Sequence, residues 1–156
     1  MRILFICTHN RCRSILAEAI ANKMGHGLLI AASAGAHPAG EVHPLTLKYL
    51  AEAGYATDGL HSQGWDELKA FNPHIVITVC DQAAGETCPV WLEKGVRVHW
   101  GLPDPSRELS SEEETADAFR EVIRTLEKRM EQLTKVNINQ LSPAEVRFAL
   151  EALALV

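Results

Sequence analysis

Near the start of the chain a cysteine ends a short apolar run, Met-Arg-Ile-Leu-Phe-Ile. An arginine–serine pair follows it after five residues: Cys7-Thr8-His9-Asn10-Arg11-Cys12-Arg13-Ser14. Five residues suffice to curl a loop whose backbone N–H groups point inward, an anion nest closed by the N-terminus of the following helix. The same field favours the thiolate of Cys7 and predicts a nucleophile near neutral pH. Arg13 offers a planar, permanently charged fork for two oxygens of a tetrahedral oxyanion. Ser14 can donate its hydroxyl hydrogen to the sulfur, and Arg11 adds a second positive charge. The chemistry spelled out is attack by a thiol on an oxyanion. A lone cysteine on an apolar strand is more often a small buried hydrophobe, and the spacing alone is a weak signal. The strand before Cys7, the serine after Arg13 and the helix beyond favour the nucleophile.

Three more residues belong with this loop. Asp104-Pro105 is an ordinary turn dipeptide, but a carboxylic acid there could protonate a departing oxygen. Cys80 closes another apolar run, and Cys88 lies eight residues on, beyond the polar stretch Asp-Gln-Ala-Ala-Gly-Glu-Thr. The spacing is wider than the usual paired-cysteine metal motif and no second pair exists. A relay of thiols on a mobile loop fits better. Cys12 is expected to turn into the core as inert packing. The seven histidines show no metal-ligand pairing, and His61 and His99 read as polar neighbours of the site.

The elements that must position these groups follow from periodicity. Strands are predicted at 2–6, 28–32, 74–80 and 96–100. Helices are predicted from Ser14 to Met24, with Ile15, Ala19, Ile20 and Met24 on one face, from Pro44 to Ala53, and from Ser111 to Lys135, with a short helical turn at Trp65–Leu68. Ser110 or Ser111 caps the long helix, with glutamates in its first turn. Strands alternating with helices predict an α/β fold, a four-stranded parallel sheet with helices on both faces. Ligands of such sheets collect beyond the carboxyl ends of the strands, which is where Cys7, Cys80 and the Gly101–Pro105 loop all fall.

A length of 156 residues with 47% hydrophobic content suits one globular domain. With a net charge of −5 and scattered basic residues, nucleic acid is not an expected partner. No apolar run reaches membrane-spanning length and no signal peptide is legible. The expectation is a cytoplasmic protein, where cysteines tend to be catalytic, redox-active or metal-binding.

Taken together, C-T-H-N-R-C-R-S at 7–14, Ser33-Ala34-Gly35 and Asp104-Pro105 resemble the low-molecular-weight protein tyrosine phosphatase family, over residues 1–135. Cys80, Cys88 and His99-Trp100-Gly101 make the chain look more like that family's arsenate reductase branch. The resemblance implies that Thr8, His9, Asn10, Arg11, Cys12 and Arg13 bind arsenate, that Cys7 attacks it with help from Ser14, and that Asp104 protonates the leaving hydroxide. It further implies that Cys80 and then Cys88 relay the oxidation as disulfides to an external dithiol, thioredoxin or glutathione/glutaredoxin.

The chain departs from the family pattern at several positions. His9 stands where glycine is common; histidine tolerates a left-handed backbone better than most residues. One more residue separates Cys80 from Cys88 than is usual in thioredoxin-linked members. Asn10, Glu18 and Ser33 match positions that ligate a monovalent cation, potassium, in those members, but the fourth, an aspartate, is Gly64 here. Asn10 is expected instead to brace the loop through its side chain.

The tail from Asn137 to Val156 is expected as a C-terminal helical extension of a catalytic domain spanning 1–136. Ser142-Pro143-Ala144-Glu145 starts a helix whose apolar stripe Val146, Leu150 and Leu153 must be covered, either by the domain itself as a monomer or by a second copy in a homodimer. Two other functions compete. A phosphotyrosine phosphatase with a phosphocysteine intermediate would use the same cradle, but such enzymes carry an aromatic residue after Asp-Pro where this chain has Ser106, and would leave Cys80 and Cys88 without a purpose. A non-catalytic oxyanion or redox sensor would need no Asp104.

Overall fold

In the computed structural model, which describes residues 1–107 and 110–156, four parallel strands form one sheet in the order β2-β1-β3-β4. They are β1 (Arg2–Ile6), β2 (Ile30–Ala34), β3 (Ile75–Thr78) and β4 (Val96–His99). Five helices accompany them: α1 (Arg13–Met24), α2 (Pro44–Glu52), α3 (Asp81–Ala84), α4 (Glu112–Thr134) and α5 (Pro143–Leu153). Ile3 to Ile6 on β1 and Ile75 to Thr78 on β3 are all buried, so both central strands are covered on both faces. That explains their continuous apolar runs, which would alternate if one face met water.

The second strand differs from the sequence expectation. It begins at Ile30 rather than Leu28 and runs through Ser33 and Ala34. His26 and Gly27 both take left-handed backbone (φ 47 and 81), and the Leu28 amide closes a turn on the Gly25 carbonyl. The turn consumes the residues that looked like strand, and Leu28 and Ile30 stay exposed at the sheet edge. The third strand is also shorter than expected, because Cys80 leaves the sheet to cap α3. Its sulfur accepts the Ala83 amide. The stretch expected to be a mobile loop therefore begins with a helical turn.

Local signals elsewhere hold. The Ser111 hydroxyl accepts the Glu114 amide at the start of α4, and Ser142 and Glu145 form a reciprocal capping box at the start of α5. The α5 stripe Val146, Leu150 and Leu153 is buried within this chain. Two bolts secure that helix. The buried Trp100 indole donates to the Leu150 carbonyl at 2.9 Å, and Arg147 donates to the Arg97 carbonyl on β4 at 3.0 Å. Arg129 of α4, itself buried, donates to the Ala154 carbonyl and lies over the Trp100 ring at 5.4 Å from its centroid.

Connections run from β1 outward to β2, then back across to β3 on the other side of β1. The carboxyl ends of β1 and β3 thus form the switch point where open α/β sheets leave a crevice, and the loops carrying Cys7 and Cys80 leave from those two ends. Replacing Trp100 by Phe removes the bolt to α5 and leaves a void. The expected loss is about 1–3 kcal/mol in unfolding free energy, measured by urea denaturation; an unchanged midpoint would show that α5 is held by its apolar stripe alone.

Candidate active site

The loop from Cys7 to Ser14 is shaped by where its carbonyls go. The Thr8 carbonyl accepts from His37 N–H, His9 from Ala39 N–H and the Ser62 hydroxyl, Arg11 from His43 N–H and the Thr46 hydroxyl, and Cys12 from Leu16 N–H. With the carbonyls drawn outward, the amides of His9, Arg11 and Cys12 have no backbone acceptor among the described residues, and the first amides of α1 have none by helix geometry. The result is a nest of free N–H donors facing one point. Gly35 at the end of β2 makes the fit possible, since a Cβ there would overlap the carbonyl oxygens of Cys7 and Thr8.

The left-handed residue of the loop is Asn10 (φ 46), not His9. Asparagine accepts this backbone readily, so His9 carries no strain; its ring lies outside, against the His37 carbonyl at 3.1 Å. As expected, Asn10 braces the loop. Its Oδ1 accepts the Gln63 amide at 2.8 Å and its Nδ2 donates to Ser14 Oγ at 2.8 Å. With one lone pair of Ser14 occupied, the serine hydrogen is free to point elsewhere, as stabilising a sulfur requires.

A cavity of about 280 Å³ opens above this loop, walled by Cys7, Cys12, Arg11, Arg13, Asp104 and Ser106, with His9 and Arg107 at its edge. Arg13 is anchored by a 2.9 Å bond to the Leu102 carbonyl, and its other terminal nitrogen lies 4.0 Å from Asp104. Asp104 Oδ1 accepts both the amide and the hydroxyl of Ser106, at 2.9 and 2.6 Å. Burial pushes the Asp104 carboxyl up, but the Ser106 bonds and the charges of Arg13 and Arg11 outweigh it and hold the group below its ordinary value. Asp104 is thus a carboxylate in the resting site. Cys12 lines the wall without being reactive: burial pushes its thiol up to about 11. Thr8 and Asn10 are buried, with their side chains turned away from the cavity.

The decisive contact is between two sulfurs. Cys7 and Cys80, both buried, leave the carboxyl ends of the paired strands β1 and β3 and lie near enough to couple their ionisation. The sequence predicts an ionised Cys7, and the fold couples that ionisation to a second buried thiol. Cys80 is lowered to about 5, first by the bond from Cys7 and, against burial, by the amides of Thr8 and Ala83. Cys7 is pushed up by that same bond to Cys80, by burial and by the nearby charge, and Arg13 only partly offsets this. The two thiols therefore titrate as a coupled pair, in which ionising one disfavours ionising the other. Cys88 is half-buried; burial pushes its thiol up, and the positive charge of Arg97 on β4 partly offsets this.

The positions that match cation ligands are hydrogen-bonded within the chain: Ser33 donates to Glu18 at 2.7 Å, Asn10 bonds Gln63 and Ser14, and Gly64 offers an amide, which Glu67 takes at 2.7 Å. No cluster of three or more His, Cys, Asp or Glu suited to a metal occurs among the described residues. Glu18 and Ser33 prop the strand end under the loop.

Sequence reasoning missed Ser106 as the group that orients Asp104. The signal was available, since an aspartate commonly accepts the amide two residues on. Gln63 left no signal because it braces the loop through its backbone. His99 bridges Thr78 and Asp81, at 2.7 and 3.0 Å, and so ties the residue after Cys80 to β4.

A family model described as low molecular weight phosphotyrosine protein phosphatase matches residues 2–144. The chain belongs to that family. It is 34% identical over 128 residues to a protein of Halalkalibacterium halodurans named arsenate reductase, covering 82% of this chain and 91% of that one. It is 27% identical over 132 residues to a glutaredoxin arsenate reductase of Synechocystis, covering 85% and 95%. Its fold matches a solved arsenate reductase in the phosphate binding state with a TM-score of 0.70 at 27% identity, over 86% of this chain and 96% of the other. The low molecular weight phosphatase family explains the anion loop; in this member a second cysteine, Cys80, stands beside Cys7.

Replacing Cys80 by Ser tests the shared charge. In the reduced chain, thiolate ultraviolet absorbance should show an ionisation near 5 that persists in Cys12→Ser and disappears in Cys80→Ser. In the latter Cys7 should ionise at lower pH than in the parent, because its largest raising influence is gone. Survival of the low transition in Cys80→Ser would assign that charge to another group.

Proposed function

We propose that this protein is an arsenate reductase that turns arsenate into arsenite through a disulfide relay of Cys7, Cys80 and Cys88. The observation that carries the reading is the contact between Cys7 and Cys80, since oxyanion hydrolysis would need only the first sulfur. The names of the relatives support it.

The steps follow from the charges. Arsenate settles among the loop amides with Arg13 across two of its oxygens. Cys7 passes its proton to the Cys80 thiolate and attacks arsenic. A hydroxide leaves and takes a proton from Asp104, whose carboxyl is driven towards its protonated form by the anion beside it. Cys80 then attacks the sulfur of the Cys7–arsenic adduct. The electron pair of that S–As bond stays on arsenic, which departs as arsenite with the proton released by Cys80, leaving a Cys7–Cys80 disulfide. Cys88 attacks Cys80, freeing Cys7, and an external dithiol, thioredoxin or glutaredoxin, reduces the Cys80–Cys88 disulfide. No step passes through a metal or potassium ion. Residues 1–136 supply every group in this scheme, and 137–156 act as a structural extension.

The phosphatase reading rests on the same cradle, because phosphate and arsenate share shape and charge. Ser106 disfavours it: the residue is committed to Asp104 and offers no ring to stack on a tyrosine.

In arsenite-release assays with thioredoxin/thioredoxin reductase or glutathione/glutaredoxin, Cys7→Ser, Cys80→Ser and Cys88→Ser should each abolish turnover. Cys88→Ser should still release one equivalent of arsenite in a single turnover. Full multiple turnover by Cys80→Ser would eliminate the relay. Hydrolysis of an aryl phosphate without arsenite release by the parent would favour the phosphatase.

A further inference from the structure

Glu86 is a half-buried ionisable group that the scheme above does not use. It lies between α3 and Cys88, on the segment that must rearrange during the relay. Its Oε1 accepts a 2.8 Å hydrogen bond from the Thr8 hydroxyl, the first residue after the nucleophile. Its Oε2 is buried with no hydrogen-bond partner among the described residues. The same Thr8 oxygen lies 3.8 Å from Cys80 Sγ. One carboxylate thus ties the segment bearing two relay cysteines to the anion loop, beside the sulfur that must act next.

The geometry makes this contact specific and easily broken. A hydrogen bond to a charged acceptor is stronger than a neutral one. A carboxylate oxygen dehydrated without a partner carries a desolvation cost that only the docked position imposes. If the segment swings out, water takes both oxygens and the cost vanishes. The contact therefore holds the segment in place without locking it. Such a balance suits a loop that must present Cys80 to Cys7 and then bring Cys88 across to Cys80.

We infer that Glu86 is a positioning residue, a latch whose bond to Thr8 holds the 81–88 segment against the anion loop while Cys80 captures the arsenic adduct and then releases it so that Cys88 can reach Cys80. The role rests on the relay proposed above, while the docking itself can be measured without arsenic.

The test uses the full reduced chain. In Glu86→Ala, hydrogen–deuterium exchange of the 81–88 peptide should accelerate about tenfold, as expected from loss of a charge-assisted hydrogen bond. The single-turnover arsenite burst should slow by a similar factor with its amplitude intact, because attack by Cys7 is untouched. Glu86→Gln, which keeps a neutral oxygen acceptor for Thr8, should restore only part of both rates, whereas Glu86→Met, which fills the space without an oxygen, should behave like Glu86→Ala; recovery in Glu86→Met would show packing rather than the bond to Thr8. Unchanged exchange and burst rate in Glu86→Ala would overturn the latch while the relay stands. A parent chain that releases no arsenite although Glu86→Ala still frees the segment would overturn the relay and with it the timed release, leaving the anchor to the anion loop established by exchange.

Discussion

Two buried cysteines come together at the point where the sheet changes direction, and the rest of the site is arranged around that pair. Strand order β2-β1-β3-β4 places β1 and β3 side by side, so the residues leaving their carboxyl ends meet in one buried crevice. Burial there penalises every charge. A Cys7 thiolate has Arg13 and the loop amides as support, and a Cys80 thiolate has the amides of Thr8 and Ala83. Each sulfur thus has donors that favour its ionised form, and ionising one makes ionising the other harder.

The anion loop is held in shape before any ligand arrives. Its carbonyls are pulled outward by His37, Ala39, His43 and Thr46, and its left-handed residue is pinned by Gln63. Donors fixed in this way need no reorganisation when charge develops on a bound oxyanion. The close passage of β2 past the loop depends on Gly35, where any side chain would strike the backbone of Cys7 and Thr8. The brace is therefore distributed over residues 33–64, a stretch that contributes no reacting atom.

The acid side is tuned separately. Asp104 is gripped by Ser106 and faces the charges of Arg13 and Arg11, so it rests ionised. Arg13 is itself set by the Leu102 carbonyl. Leu102 lies two residues beyond Trp100, which α5 holds. The C-terminal helix thereby steadies the connection from β4 to the acid loop from the far side of the core.

Much of this was legible in the sequence because the responsible interactions are local. The C-x5-R-S loop, the capping serines Ser111 and Ser142, the apolar runs of β1 and β3 and the stripe of α5 each lie within a few residues along the chain, where spacing dictates geometry. The start of β2 was misplaced because a left-handed turn at His26 and Gly27 outweighed the β-propensity of Leu28 and Leu29. What only the tertiary structure decided involves partners distant in sequence. It brought Cys80 beside Cys7 and so coupled their ionisation, turned Thr8 to Glu86 instead of the cavity, and linked Asn10 to Gln63 and Glu18 to Ser33. Ionisation depends on what burial brings within hydrogen-bonding reach, and residue spacing alone carries no record of that.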